Sequence, residues 1–134
     1  MLEKNPDTVK IVYKAFPIRS HNMSMPAVKA ALAADRQGRF WAFHDKLFAD
    51  YRNLNPQKIN QIAVDLGLDM ARYATDLTSP AVQQLINRDL RDAQQAEVNG
   101  TPSIFINGFR VQNRSYPALQ AMIDRELQKS GKKQ

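Results

Sequence analysis

Histidine is the first residue type to consider for chemistry, because it titrates near neutral pH and binds metals. The chain has two histidines, His21 and His44. Neither stands with Asp or Glu at a metal-ligand spacing such as HExxH, so the sequence predicts no metal site. His44 recurs with aromatic residues at helical spacing, which favours a packed, hydrogen-bonded core histidine. His21 follows the first predicted strand in a loop, where a lone histidine is weak evidence for catalysis.

Serine and carboxylate side chains give no catalytic pattern either. No serine has the GxSxG context of a hydrolase nucleophile. Ser24 and Ser79 are better explained as helix caps, since each precedes a helical pattern with a proline in its first turn. Asp89 and Asp92 are close in sequence, but we expect both on the solvated surface of a long helix.

The chain contains no cysteine. Thiolate catalysis, disulfides, iron–sulfur clusters and cysteine zinc sites all need that side chain, so these residues can form none of them. We therefore expect no cofactor and no metal. Cysteine usage also gives no information about the redox compartment.

One loop is unusual for its position, and it contains Thr101 and Pro102. These two residues lie directly before the apolar run Ser103–Ile106, and the dipeptide Asn107–Gly108 closes that run. Proline cannot donate to a sheet ladder, so at the start of a strand it marks an edge or a strained turn. Asn-Gly is typical of a two-residue hairpin turn. The stretch is predicted as loop, buried strand, turn and second strand, and spacing alone leaves the isomer of the proline bond open.

The remaining elements must position that loop. Thr8–Phe16 is predicted as a strand, because β-branched and aromatic residues dominate it. Five helices follow, and a last helix runs from Tyr116 to Leu127. Four of the five are predicted at residues 24–38, 39–51, 55–67 and 69–77, and the fifth is a long helix from Ser79 onward. Asn55 is predicted to cap the third. The order is strand, helical block (about 24–98), hairpin and helix, within one domain of residues 1–134.

The net charge of the chain does not indicate a function of its own. The net charge is +6 and the pI about 9.8, which invites a nucleic-acid interpretation. The basic residues are scattered and interleaved with acids, and the local cluster in the tail "KSGKKQ" is typical of a frayed end. No apolar run approaches the roughly 18 residues of a membrane span. We expect neither nucleic acid nor membrane as a partner.

Several stretches together resemble the DsbA-like branch of the thioredoxin superfamily. They are "VKIVYKAFPI", "HNMSMPAVKAALAA", "GRFWAFHDKLFADY" and "VNGTPSIFINGFRVQNRSYPALQAMID", and "GTPSIFINGFRV" is the most specific. The resemblance implies an α/β fold, a thioredoxin core with a helical block inserted in its middle. It implies that Thr101 and Pro102 form a cis-proline loop, whose pre-proline backbone pairs with substrate peptide.

The chain departs from that family in one respect. The resemblance implies a first strand, a Cys-x-x-Cys motif and a helix before "LEKNPD", so we expect an N-terminally truncated domain with an incomplete core sheet of one strand plus the hairpin. Such a chain should have no dithiol redox activity. Open strand edges favour pairing with another chain, so we expect either direct pairing of the remaining strands or a homodimer.

Three functions follow from the resemblance. The first is a DsbA-like thiol-disulfide oxidoreductase domain that is inactive as given, from a parent in the bacterial periplasm or cell envelope. The second is a non-catalytic module that binds an extended or unfolded peptide, or dimerises, with Arg110 and Arg114 near the peptide. The third, ranked below these, is a related enzyme such as a kappa-class glutathione transferase or a hydroxychromene isomerase.

Overall fold

The computed structural model describes residues 2–18 and 21–131. It divides into two compact units. Lys14–Glu97 form one, the helical unit, and Met1–Tyr13 together with Val98–Gln134 form the other, the hairpin unit. The predicted frayed tail lies partly outside the described residues.

The helical unit contains the five helices that the sequence predicts between residues 24 and 98. A short 3-10 turn, Tyr51–Asn53, follows the second of them. The helices are α1 (Ser24–Asp35), α2 (Phe40–Ala49), α3 (Pro56–Asp65), α4 (Met70–Leu77) and α5 (Pro80–Gln95).

Side-chain caps fix the starts of three of these helices. The Asn55 side chain accepts a hydrogen bond from the Lys58 backbone N–H at 2.8 Å, and the Ser79 hydroxyl accepts one from the Val82 N–H at 3.3 Å. Both caps were predicted and are confirmed. Asp69, which the sequence placed at the start of α4, caps that helix. Each cap satisfies an N–H that has no partner inside its helix.

The cap predicted at Ser24 is wrong. Ser24 is the first residue of α1 rather than the residue before it, and Met23 at the cap position makes no side-chain cap hydrogen bond. The Ser24 hydroxyl instead accepts a hydrogen bond from the Ile18 N–H at 2.7 Å. It therefore ties Ile18 to the first residue of α1.

The core of the helical unit forms around α1. Its alanines from Ala30 to Ala34 are buried together with Leu32, and α1 contacts α2, α3, α4 and α5. Small side chains let neighbouring helices approach closely. Phe43 and Tyr73 are among the largest fully buried side chains, and their rings stack with centroids 6.2 Å apart.

The first predicted strand, Thr8–Phe16, is wrong. Within residues 2–18 the structure contains a 3-10 turn at Leu2–Lys4 and no strand. Ile11 and Val12 have the right residue types, but a strand also needs a neighbour for its backbone hydrogen bonds. The structure assigns this segment to no strand, and the Ile11 and Val12 side chains are exposed.

The hairpin unit has the predicted hairpin and last helix. Strands β1 (Phe105–Ile106) and β2 (Phe109–Arg110) pair antiparallel. Asn107 and Gly108, with φ of 48° and 85°, make the two-residue turn between them, where positive φ at both positions matches the strand twist. Helix α6 (Tyr116–Lys129) buries Ile123 and Leu127.

Candidate functional site

The loop before β1 contains both residues predicted for substrate binding. Thr101 and Pro102 are exposed, and the peptide bond between them is cis. They lie in an open depression of about 350 Å³ in the hairpin unit. Its lining residues are Asn99, Gly100, Thr101, Pro102, Ser103, Ile104, Arg110, Val111, Gln112 and Arg114.

Hydrogen bonds hold the two sides of this loop. The Ser103 hydroxyl donates to the Gly100 carbonyl at 2.7 Å, and the Val111 N–H donates to the Ile104 carbonyl at 2.8 Å. Arg114 Nη1 donates to the Pro102 carbonyl at 2.8 Å. The loop is thus tied to β1 and to the segment that leads into α6.

Thr101 itself makes none of these hydrogen bonds. Among the described residues, neither its backbone N–H nor its carbonyl has a hydrogen-bond partner. A residue before proline is restricted to the extended region, which directs both backbone groups sideways. Thr101 can therefore pair with one residue of an extended ligand, as an edge strand does.

Two arginines line the depression. Arg110 stands opposite Phe105 in the hairpin register, and its Cζ atom lies 5.1 Å from the centre of the Phe105 ring, a cation–π geometry. Arg114 is held by its bond to Pro102. Sequence reasoning placed both arginines near the loop, but the Arg114–Pro102 contact had no sequence signal, because only the fold joins residues twelve positions apart.

The turn of the hairpin is fixed to α6. Asn107 Nδ2 donates to Glu126 Oε1 at 3.2 Å, and Lys129 Nζ lies 3.1 Å from Glu126 Oε2. The hydrogen bond from Lys129 and that from Asn107 hold the pKa of the Glu126 carboxyl below its ordinary value. Lys129 also lies over the Phe109 ring, 5.2 Å from its centre.

The two histidines belong to other parts of the chain. His44 sits among the rings of Phe40, Trp41 and Phe48 on α2, with its side chain 27% exposed. It is packed, as predicted, but at the border of the core rather than inside it. His21 is exposed. In the part of the chain that the structure describes, no group of three or more His, Asp or Glu side chains could hold a metal ion.

The surface position expected for Asp89 is wrong, because its side chain is only 4% exposed. Asp89 follows Val82 and Ile86 at helical spacing on the buried face of α5. Its Oδ2 atom accepts a hydrogen bond from the Ala15 backbone N–H at 2.9 Å. Asp92, by contrast, pairs with Lys14 at 2.7 Å on the surface.

The helical block, proline loop, hairpin and last helix follow one another along a chain with a thioredoxin-like fold. The family model described as Thioredoxin matches residues 1–125. The chain therefore belongs to the thioredoxin family, and the predicted superfamily is confirmed. The solved crystal structure of a thioredoxin-like oxidoreductase from Silicibacter pomeroyi DSS-3 is similar to this one, with a TM-score of 0.78. The two chains are 33% identical in sequence, and the match covers 87% of this chain and 68% of that chain.

Sequence relatives with another name also match. The Na(+)/H(+) antiporter NhaA of Herminiimonas arsenicoxydans is 35% identical over 112 residues, which is 84% of this chain and 18% of that protein. NhaA 3 of Salinispora tropica is 35% identical over 77% of this chain and 16% of its own length. The chain thus spans less than a fifth of these relatives. No helix among the described residues has the length and apolar character needed to cross a membrane.

Proposed function

We propose that this chain is the peptide-binding part of a thiol-disulfide oxidoreductase domain of the DsbA-like type, and that by itself it performs no dithiol exchange. In this proposal Thr101 and Pro102 receive an extended or unfolded peptide. The Thr101 backbone pairs with the peptide backbone, as when a strand is added to a sheet edge.

The observation that carries this proposal is the unpaired backbone of Thr101 beside an open depression. Among the described residues nothing bonds to its N–H or carbonyl, while its neighbours Ser103 and Arg114 hold the loop in place. Fixed donors and acceptors bind a ligand with less loss of conformational entropy than mobile ones. The loop is therefore built to accept a partner in a fixed orientation.

The composition supports the proposed redox inactivity. Thiol–disulfide exchange proceeds by attack of a thiolate on a disulfide sulfur, and the chain contains no cysteine. Any thiol that acted beside this loop would come from outside these 134 residues. A non-catalytic peptide-binding module is the alternative that uses the same loop without any thiol.

The antiporter name of the sequence relatives gives no support for ion transport by this chain. The antiporter name belongs to whole proteins, of which the chain spans 18% or less in the two cases above. We propose that the matched segments share the thioredoxin-type fold and that antiport is not a property of this chain. A periplasmic or cell-envelope location is proposed on the family resemblance.

Peptide binding is tested by fluorescence anisotropy with short, labelled, unstructured peptides. Thr101→Pro removes the backbone N–H, and Thr101→Val, its matched control, keeps the N–H and replaces only the hydroxyl. We expect saturable binding to the native chain and to Thr101→Val, and a loss of about tenfold in affinity in Thr101→Pro. Absence of saturable binding, or equal affinity of the two variants with both folded by circular dichroism, would overturn the proposal.

The redox part of the proposal needs a separate assay. Oxidation of a reduced, unfolded protein substrate and reduction of insulin by dithiothreitol are both followed with and without the chain. We expect rates equal to those of the buffer in both assays. A rate above buffer that scales with chain concentration would show that the chain has redox activity after all.

A second candidate function is self-association. Ile11 and Val12 expose 46% and 67% of their surface. They lie in a segment that the sequence predicts as a strand and that the structure assigns to no strand. We propose that this segment pairs with a second copy of the chain to give a homodimer.

A further inference from the structure

The depression beside Thr101 is lined by positive and neutral residues. Arg110 and Arg114 contribute two guanidinium groups, and none of its described lining residues is Asp or Glu. Resting on the peptide-binding function proposed above, we propose that the depression selects extended peptides with an acidic side chain close to the residue that pairs with Thr101.

Arg114 is the residue best placed to bind a ligand carboxylate. A guanidinium has five N–H donors in a planar fork. The bond from Nη1 to the Pro102 carbonyl is the hydrogen bond that Arg114 makes among the described residues. That bond restrains the guanidinium beside the loop. It leaves the other N–H donors for a ligand carboxylate, which a guanidinium binds in two-point geometry.

Arg110 adds a second cation to the lining of the depression. Its position over the Phe105 ring, 5.1 Å from Cζ to the ring centre, restricts the side chain. Phe105 and Arg110 are register partners, so they share one face of the hairpin, while Ile106 and Phe109 share the other. The cation–π contact therefore keeps the charge on the face that Arg110 presents to the depression.

The acidic side chains described on α6 have partners of their own. Glu126 pairs with Lys129 and Asn107, and Asp124 accepts a hydrogen bond from Gln120 at 3.0 Å. The described lining residues therefore carry two formal positive charges, those of Arg110 and Arg114, and no negative one. A peptide carboxylate there is attracted by the two guanidinium groups, which raises the affinity of the peptide, whereas a peptide lysine is repelled by them.

The test compares three labelled peptides that are identical except for one position, which carries Glu, Gln or Lys. The expected order of affinity is Glu, then Gln, then Lys, with Glu about five- to tenfold tighter than Gln at low salt. The preference should weaken as salt is added, because ionic strength screens exposed charges.

Three arginine variants locate the preference. Arg110→Gln and Arg114→Gln each remove one charge from the depression, and Arg125→Gln removes one exposed charge on α6 outside it. We expect the first two to lose most of the preference for Glu and the third to keep it, with all three folded by circular dichroism.

Each outcome decides between the two proposals. Equal binding of the Glu, Gln and Lys peptides would overturn the selection of acidic peptides and leave peptide binding standing. An equal loss of the preference for the Glu peptide in all three variants would mean that the preference comes from the net charge of the chain. That result would overturn the assignment of the acidic-peptide site to this depression. Failure of every peptide to bind would overturn peptide binding itself and the selectivity with it.

Discussion

Asp89 on α5 holds the chain at Ala15, seventy-four residues earlier in the sequence, through a buried hydrogen bond of 2.9 Å from the Ala15 N–H to Asp89 Oδ2. The other oxygen, Oδ1, has no hydrogen-bond partner among the described residues. Its nearest cations are Arg88 Nη2 at 3.5 Å and Lys14 Nζ at 3.9 Å. This contact fixes the segment before α1 to the helical core.

Removing the Asp89 side chain should destabilise the fold. Asp89→Ala leaves the Ala15 N–H buried without a partner, and Ala15 is 1% exposed. An unsatisfied buried donor costs about 1–3 kcal/mol of unfolding free energy. Asp89→Asn keeps an acceptor oxygen and should lose less. Urea denaturation followed by circular dichroism measures both.

Asp92→Ala is the matched control for that experiment. Asp92 lies one turn further along α5 and pairs with Lys14 on the surface, where solvent and salt weaken ion pairs. We expect its urea midpoint to stay close to that of the native chain. If Asp89→Ala and Asp92→Ala had the same midpoint, the buried bond would not be a stabilising anchor.

The spacing of residues in the sequence indicated that Asp89 is buried, but its residue type suggested an exposed position. Val82, Ile86 and Asp89 have helical spacing on one face of α5, which indicates burial. Aspartate is rarely buried unless it is paired, and its partner is a backbone N–H that no sequence pattern reveals. Position on a helix face was the better predictor here.

Elements defined by local chemistry were predictable from sequence. The Asn55 and Ser79 caps and the Asn107–Gly108 turn depend on residues within three positions of one another. The strand at Thr8–Phe16 was not, because strand formation depends on a partner elsewhere in space. The Arg114–Pro102 bond was missed for the same reason.

The hairpin turn gives a second prediction. Gly108 has φ +85°, and a Cβ added there meets no atom within 4 Å. Gly108→Ala should therefore lose about 1 kcal/mol of unfolding free energy from backbone strain alone.

Gly100→Ala is the matched control, because it adds the same methyl group at a glycine whose φ is not positive. A Cβ at Gly100 also meets nothing within 4 Å, and its φ lies outside the positive range. This variant should keep the native urea midpoint or raise it slightly. Equal losses in the two variants would mean that the positive φ of Gly108 is not the cause.

Tyr73 gives a prediction for alkaline pH. Burial raises the pKa of Tyr73 to about 12, against about 10 for an unfolded tyrosine. Between those pH values the unfolded chain has released the Tyr73 proton and the folded chain still holds it. The contribution of Tyr73 to the unfolding free energy is therefore fully present below about pH 10 and is lost as the pH rises towards 12. The expected loss is about 1 kcal/mol near pH 11.

Tyr73→Phe isolates this contribution because it keeps the ring stacked on Phe43 and removes the ionisable hydroxyl. Unfolding free energies of both proteins are measured by urea denaturation at a series of pH values. The unfolding free energy of the variant should fall less steeply between pH 10 and 12, because the variant lacks the Tyr73 hydroxyl. Parallel curves over that range would contradict the raised pKa.

The exposed segment at Ile11 and Val12 makes the last prediction, that the chain dimerises through it. A charged side chain on an edge strand opposes pairing with another chain, so Val12→Lys should shift the chain towards monomer. Val64→Lys is the matched control, because Val64 is a half-exposed valine on α3. Sedimentation velocity over a concentration series should show a dimer for the native chain and Val64→Lys, and a monomer for Val12→Lys. A native chain that stays monomeric at high concentration, or the same shift in both variants, would contradict pairing at this segment.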